Sequence, residues 1–155
     1  MPTYEYPRPA LTVDAVVLRG SPGSREVLLV QRAQEPFLGM WALPGGFVDE
    51  MEPPLAAARR ELAEETGVEL DGPFYQVGVF GEPGRDPRGW VVSGAFVAAL
   101  PDPAPEASAG SDASDVGWHP VNALPPLAAD HGRIIAESVR RLERELEPWT
   151  HLTAP

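Results

Sequence analysis

The sequence predicts an α+β fold in which two helices pack across a mixed β-sheet. Three observations predict it. Helical patterning is confined to two places, Pro53 to Gly67 and Asp130 to Glu145. Runs rich in β-branched and aromatic residues stand before, between and after them. The third is length, since 155 residues suffice for one domain with a real core and are short for two. The expectation is one domain over residues 1–155, with 1–9 as an N-terminal arm and 148–155 as a flexible tail.

In chain order, Thr3 to Pro9 is rich in Tyr and Pro and reads as an extended arm or edge strand. Leu11 to Arg19 is strand-like, Ser21 to Ser24 (SPGS) is a turn, and Glu26 to Gln31 returns as the partner strand of a hairpin. Ala33 to Met40 reads as a loop, after which Trp41-Ala42-Leu43-Pro44 leads into the pair Gly45-Gly46. Pro53 and Pro54 fit the first turn of a helix, where a missing N–H costs little, and Gly67 fits its stop. Phe74 to Phe80 and Trp90 to Leu100 read as strands. Pro101 to Asp115, rich in Pro, Ala, Ser and Asp, reads as an exposed mobile loop, and Val116 to His119 as a short strand. Asp130 to Glu145 closes the pattern as a helix with Ile135, Val139, Leu142 and Leu146 on one face.

Chemistry concentrates on the first helix. With Glu61 set at zero and about 100° per residue, Glu65 lies near about +40° and Glu64 near about −60°. Leu55, Ala58, Leu62 and Thr66 form the adjoining apolar stripe. Three carboxylates this close repel one another unless they are protonated or bridged by cations. Grouped hard oxygen donors suit Mg²⁺ or Mn²⁺, whose coordination is usually completed by substrate phosphates. Arg60, four residues before Glu64 and one before Glu61, is placed to orient a carboxylate. Glu52 sits at the helix entrance, and Gly45 and Gly46 let backbone approach a cation closely.

Gly46, five residues, Glu52, seven residues and then Arg60-Glu61-Leu62-Ala63-Glu64-Glu65-Thr66-Gly67-Val68 resembles the complete signature of the Nudix hydrolases, every defined position filled over 23 residues. The resemblance implies the α/β/α sandwich version of the fold, with a mixed sheet. It also implies hydrolysis of a nucleoside diphosphate linked to another group, water attacking phosphorus. In that reading Glu61, Glu64 and Glu65 hold the metals with help from the Gly45 carbonyl, Arg60 orients a carboxylate and Glu52 is an auxiliary acid. The general base comes from outside the signature. Asp112, six residues before Trp118, resembles the position from which some relatives send a fourth carboxylate, with Glu106 and Asp115 as competitors.

Further motifs resemble the ADP-ribose pyrophosphatase branch: Gln31-Arg32, the run Pro36 to Phe47, Gly84-Arg85-Asp86-Pro87-Arg88-Gly89-Trp90 and Asp130-His131. They imply substrate contacts from Arg32, Arg85 and Arg88, whose forks grip phosphate, with Trp41, Phe47 or Trp90 stacking on adenine. The competing reading of Arg85, Asp86 and Arg88 is a salt-bridged turn, and that of the aromatics is ordinary packing. His131 fits capping or packing, with a ribose or adenosine contact as the minority reading. His151 falls in the tail and is read as inert.

Charge bounds the partners. There are 23 acidic against 12 basic residues, a net charge of −11, and every base is Arg. That balance disfavours long nucleic acid, which is bound through basic contacts, but not a small metal-bound phosphate. Without cysteine there are no disulfides and no thiolate chemistry. No apolar run reaches about 18 residues and the N-terminus lacks a secretory pattern, so no membrane partner and a cytoplasmic setting are expected. Related ADP-ribose enzymes are commonly homodimers, and a homodimer is one expectation here. The alternatives are cleavage of an oxidised nucleoside triphosphate, a dinucleoside polyphosphate or a nucleotide sugar and, in another class, a ligand sensor. Regulators of that kind carry a winged-helix domain and usually a damaged signature, whereas here the signature is intact and the chain ends soon after the last helix.

Overall fold

Strand β1 (Ala10–Arg19) runs through the middle of the molecule, and its sequence explains why. Val13 and Ala15 to Leu18 are fully buried, which requires cover on both faces of the sheet. The computed structural model describes residues 3–101, 103–110 and 112–146. The later elements are β2 (Glu26–Arg32), β3 (Trp41–Ala42), β4 (Gly45–Phe47), α1 (Pro54–Thr66), β5 (Tyr75–Phe80), β6 (Val91–Ala99), β7 (Ala113–Pro120) and α2 (His131–Leu146). Side chains alternate along β1. Val13, Ala15 and Val17 pack with Ala57, Ala58 and Leu62 of α1, whereas Val16 and Leu18 pack with Ile134, Ile135 and Leu142 of α2. The result is the expected α/β/α sandwich.

The sheet is mixed. β1 pairs in parallel with β6 from Ala10↔Val91 to Leu18↔Ala99, β5 adds antiparallel to β6, and β7 pairs antiparallel with β2. The β1–β2 hairpin forms as expected, but pairs only at Leu18↔Val27 and Arg19↔Glu26. Beyond those pairs β1 and β2 diverge into a fork. β4 lies along β1 inside it (Thr12↔Phe47, Val13↔Gly46, Asp14↔Gly45), and β3 lies along β2 (Val30↔Ala42, Gln31↔Trp41).

α1 begins and ends as its sequence dictates. Pro53 is the N-cap, Pro54 is the first helical residue, and Gly67 closes the helix at φ +70° with its N–H on the Ala63 carbonyl. Several expectations need correction. The lead-in to the glycine pair, to which the sequence assigned no element, and the pair itself form the two short strands β3 and β4. Of the two readings of Thr3 to Pro9 the exposed arm holds and the edge strand does not, and β7 starts at Ala113 rather than Val116. The segment before β7 does not stand free, because the N–H groups of Ser108 and Gly110 donate to the Thr66 and Glu65 carbonyls, each at 2.9 Å. It thus satisfies carbonyls that the end of α1 leaves without helical partners. Leu146, expected on the apolar face of α2, is exposed, while Ile134 and Ser138 are buried there. The tail from 148, with His151, lies outside the described residues. No described helix is long and apolar enough to cross a membrane.

Candidate active site

The cleft opens in the fork. β1 contributes Thr12, Val13 and Asp14, the incoming segment Ala42, Leu43, Gly45 and Gly46, and α1 contributes Glu65. Arg32, Arg85, Asp86, Arg88 and His131 face them. Both glycines are required by contact. A Cβ on Gly46 would sit 2.6 Å from Glu61 Oε1, and one on Gly45 would strike the Val13 carbonyl. β4 can therefore lie against β1 only without a side chain at Gly45, and a side chain at Gly46 would push the Glu61 carboxylate out of place.

Arg60 organises the acids around it. Its Nε and Nη2 donate to Glu52 at 2.8 and 2.9 Å, Nη1 to Glu61 Oε1 at 2.8 Å and to Glu64 at 3.4 Å, and Nη2 also to the Phe47 carbonyl at 3.2 Å. Hydrogen bonds from Arg60 and from the Asp49 N–H hold Glu52 down at about 2. Glu61 moves the other way, raised by burial against the opposing pull of Arg60. Glu65 accepts the Gly45 N–H at 3.2 Å. Burial pushes its carboxyl up to about 8; the Gly45 N–H and Arg32 oppose this, and Glu61 and Asp14 add to it.

Among the described residues no three acidic or histidine groups are already gathered around a common point. Arg60 holds Glu61 and Glu64 to one side, while Glu65 alone of the three lines the cleft. The donors still fit a hard divalent cation. All are carboxylate oxygens, Arg60 takes Oε1 of Glu61 and leaves Oε2, and Glu64 is a long exposed side chain free to turn. Two neighbouring acids pushed upward by burial are groups that a cation would stabilise in their charged form.

The arginine wall divides in two. Arg85 is 4% exposed and committed to Asp130, Nε to Oδ2 at 3.0 Å and Nη2 to Oδ1 at 2.7 Å. Arg88 pairs with Asp86 but stays 42% exposed, its guanidinium 5.0 Å above the Phe47 ring. The salt-bridged turn weighed from the sequence is present only in the Asp86–Arg88 pair, since Arg85 bridges out to Asp130, and both arginines also line the cleft. Arg32 donates through Nε to the Pro36 carbonyl at 2.6 Å. Trp41 is absent from the cleft lining and packs edge-on against His119 at 4.4 Å. Phe47 and Trp90 are exposed. Asp112 is exposed at the turn before β7, two residues past Gly110, whose N–H is bonded to Glu65. Two residues span at most about 7 Å, which keeps Asp112 near the acidic end of α1.

A buried polar group was missed in the sequence. Asp14 is 6% exposed, Ser93 is fully buried and donates to its Oδ2 at 2.5 Å, and His131 Nε2 faces its Oδ1 at 3.6 Å. The available signal was an acid in the middle of an apolar strand.

A family model described as NUDIX domain matches residues 8–138. An ADP-ribose pyrophosphatase from Methanocaldococcus jannaschii is 39% identical over 135 residues, which cover 87% of this chain and 76% of that protein. An ADPR-responsive transcriptional repressor, NtrR, from Acinetobacter baylyi is 41% identical over 99 residues, 62% of this chain but 39% of the repressor. The solved NUDIX domain of Shewanella oneidensis NrtR complexed with ADP ribose matches at TM-score 0.78 and 37% identity, covering 88% of this chain and 90% of that one. Members of the family generally use divalent metals. The family match spans the fork, the acidic helix and the arginine turn together, and on that ground the chain belongs to the NUDIX domain family.

Proposed function

We propose that this chain, acting as a single domain, hydrolyses ADP-ribose to AMP and ribose 5-phosphate with Mg²⁺ or Mn²⁺. The observation that carries the proposal is a cleft with carboxylates on one wall and arginines on the other. Its enclosed part is about 90 Å³, well below the roughly 300–1,000 Å³ of sites that swallow a whole ligand. A space this small suits the phosphates, and adenosine and ribose would then lie outward, toward Arg88 and the exposed Phe47 beneath its guanidinium. Stacking there is worth about 1–3 kcal/mol per base.

Glu61, Glu64 and Glu65, with the Gly45 carbonyl, would hold the cation, which neutralises phosphate charge and acidifies the attacking water. Arg60 hands Glu61 and Glu64 to that role while keeping Glu52. Arg32 and Arg88 grip the phosphates, and Arg85 positions its loop through Asp130. Asp112 accepts the proton of the attacking water as the new P–O bond forms and the bridging P–O bond breaks. The net charge of −11 suits a small nucleotide rather than nucleic acid, and a cytoplasmic homodimer free of membrane is the setting we assign. The competing reading, a ligand sensor, is supported by the repressor relative.

The test is a panel of ADP-ribose, oxidised nucleoside triphosphates, dinucleoside polyphosphates and nucleotide sugars, with products identified in Mg²⁺ and in Mn²⁺. ADP-ribose should be the best substrate, and the Glu61→Gln/Glu65→Gln double variant should fold and lose turnover. Tight ADP-ribose binding without cleavage of any panel member selects the sensor instead.

A further inference from the structure

The buried group Asp14, Ser93 and His131 has no part in the reaction as described, yet it lies at the floor of the fork. A carboxylate buried in a strand covered on both faces gains nothing over an apolar residue unless its partners need it. Its partners lead to one place. Ser93 Oγ donates to Asp14 Oδ2, Asp14 Oδ1 faces His131 Nε2, and His131 Nδ1 accepts the Leu43 N–H at 2.9 Å. Because Nδ1 accepts, the ring hydrogen sits on Nε2, toward Asp14.

Leu43 is 3% exposed and falls between β3 and β4. Two residues on, the Gly45 N–H bonds Glu65, and a Cβ on Gly46 would displace the Glu61 carboxylate. The residue before His131 matters as well, since Asp130 holds Arg85 of the opposite wall. One dipeptide at the start of α2 therefore ties both walls of the cleft to the same point.

We propose that His131 is a positioning residue for hydrolysis: through Nδ1 it fixes the Leu43–Gly46 backbone, and so Glu65, while Asp14, itself held by Ser93, faces the other edge of its ring. The activity readout rests on the pyrophosphohydrolase reading; the backbone readout does not. Three variants separate the roles. His131→Asn keeps an acceptor near the place of Nδ1, His131→Gln keeps a polar group near Nε2, and His131→Phe keeps only a ring.

Activity is measured on whichever panel nucleotide wild type cleaves, with kcat and KM separated. Amide hydrogen exchange at Leu43, Gly45 and Gly46 is followed in the metal-free protein without substrate. The Gln and Phe variants should lose about 10²-fold in kcat, the scale of a misplacement near 1 Å, with little change in KM, and should expose the Leu43 amide. His131→Asn should restore Leu43 protection and about tenfold of that rate. Equal Leu43 protection in all three variants overturns the proposal whatever the substrate proves to be. So does a His131→Gln variant more active than His131→Asn with the change in KM, which would make the ring a substrate contact. Equal losses of thermal stability with unchanged activity per folded molecule overturn it in favour of packing.

Discussion

Arg85 and Arg88 stand three residues apart on one turn and do different work. Arg85 is 4% exposed against an Asp130 that is 20% exposed at the start of α2. Removing Asp130 strands a buried guanidinium, whereas removing Arg85 leaves a carboxylate that water reaches and the helix N-terminus favours. We expect Asp130→Ala to cost about 2–3 kcal/mol and Arg85→Ala clearly less, the order to be read by urea unfolding. Arg88 is different, being 42% exposed over Phe47. Arg88→Lys should leave stability nearly unchanged, as for other exposed pairs, and raise KM by about tenfold through loss of the fork. Acid titration gives a second reading. Arg88 holds Asp86 below the ordinary carboxylate range; burial raises Asp130, but Arg85 outweighs it and leaves it lowered too. A lowered folded value means stability present above the unfolded carboxylate pKa and lost as pH falls through the folded one. Asp130→Ala should flatten that acid limb.

At the scale of elements, the strap over the end of α1 is the part whose role is most open to test. A Cβ at Gly110 would collide with the Glu64 carbonyl, so only glycine lets the strap seat and carry Asp112 close to the acidic turn. Asp112→Asn should lower kcat by about 10²–10⁴, the usual cost of a lost general base. Gly110→Ala should lower kcat as well, and the double variant should fall little below Asp112→Asn alone, because both act on one proton transfer. If Asp112→Asn stays within about threefold of wild type, well short of that loss, while Asp115→Asn or Glu106→Gln falls steeply, the base is one of those residues. Local pattern made α1 legible: its prolines, its Gly67 stop and its spaced acids are all read within one stretch. The hairpin turn was legible for the same reason. The fork was not, because β3 and β4 are two and three residues long and exist only by pairing with β2 and β1. The strap looked like free loop because its composition hides two N–H groups that find the end of a helix. Asp14 and Ser93 stand 79 positions apart, beyond any periodicity, and the partner of Arg85 lies 45 residues away.

The whole molecule carries a net charge of −11 and still buries acids at the floor of its cleft, so metal, pH and stability are linked. Burial raises Glu65 from its ordinary 4.5 to about 8, and raises Glu61 in the same direction. A folded value above the unfolded one favours the protonated group in the folded state. For the metal-free protein, the contribution of Glu65 is therefore complete below about pH 4.5, declines as pH rises, and is gone above about pH 8. The loss over that window should be on the order of 1–3 kcal/mol. On the proposed metal role of Glu61, Glu64 and Glu65, divalent cation should reverse the trend. It would bind the ionised carboxylates of the folded state, so its affinity should climb with pH. At a hundredfold excess over Kd it adds about 2.7 kcal/mol. We expect the rise in Tm on adding Mg²⁺ or Mn²⁺ to EDTA-treated protein to be small at pH 5.5 and several degrees at pH 8. Glu65→Gln should weaken both effects together, giving a metal-free Tm that falls less with pH and a smaller response to the cation. A metal-free Tm that instead rises from pH 5 to 8 in wild type would show Glu65 ionised in the folded protein throughout, and the burial account of this carboxylate would fail.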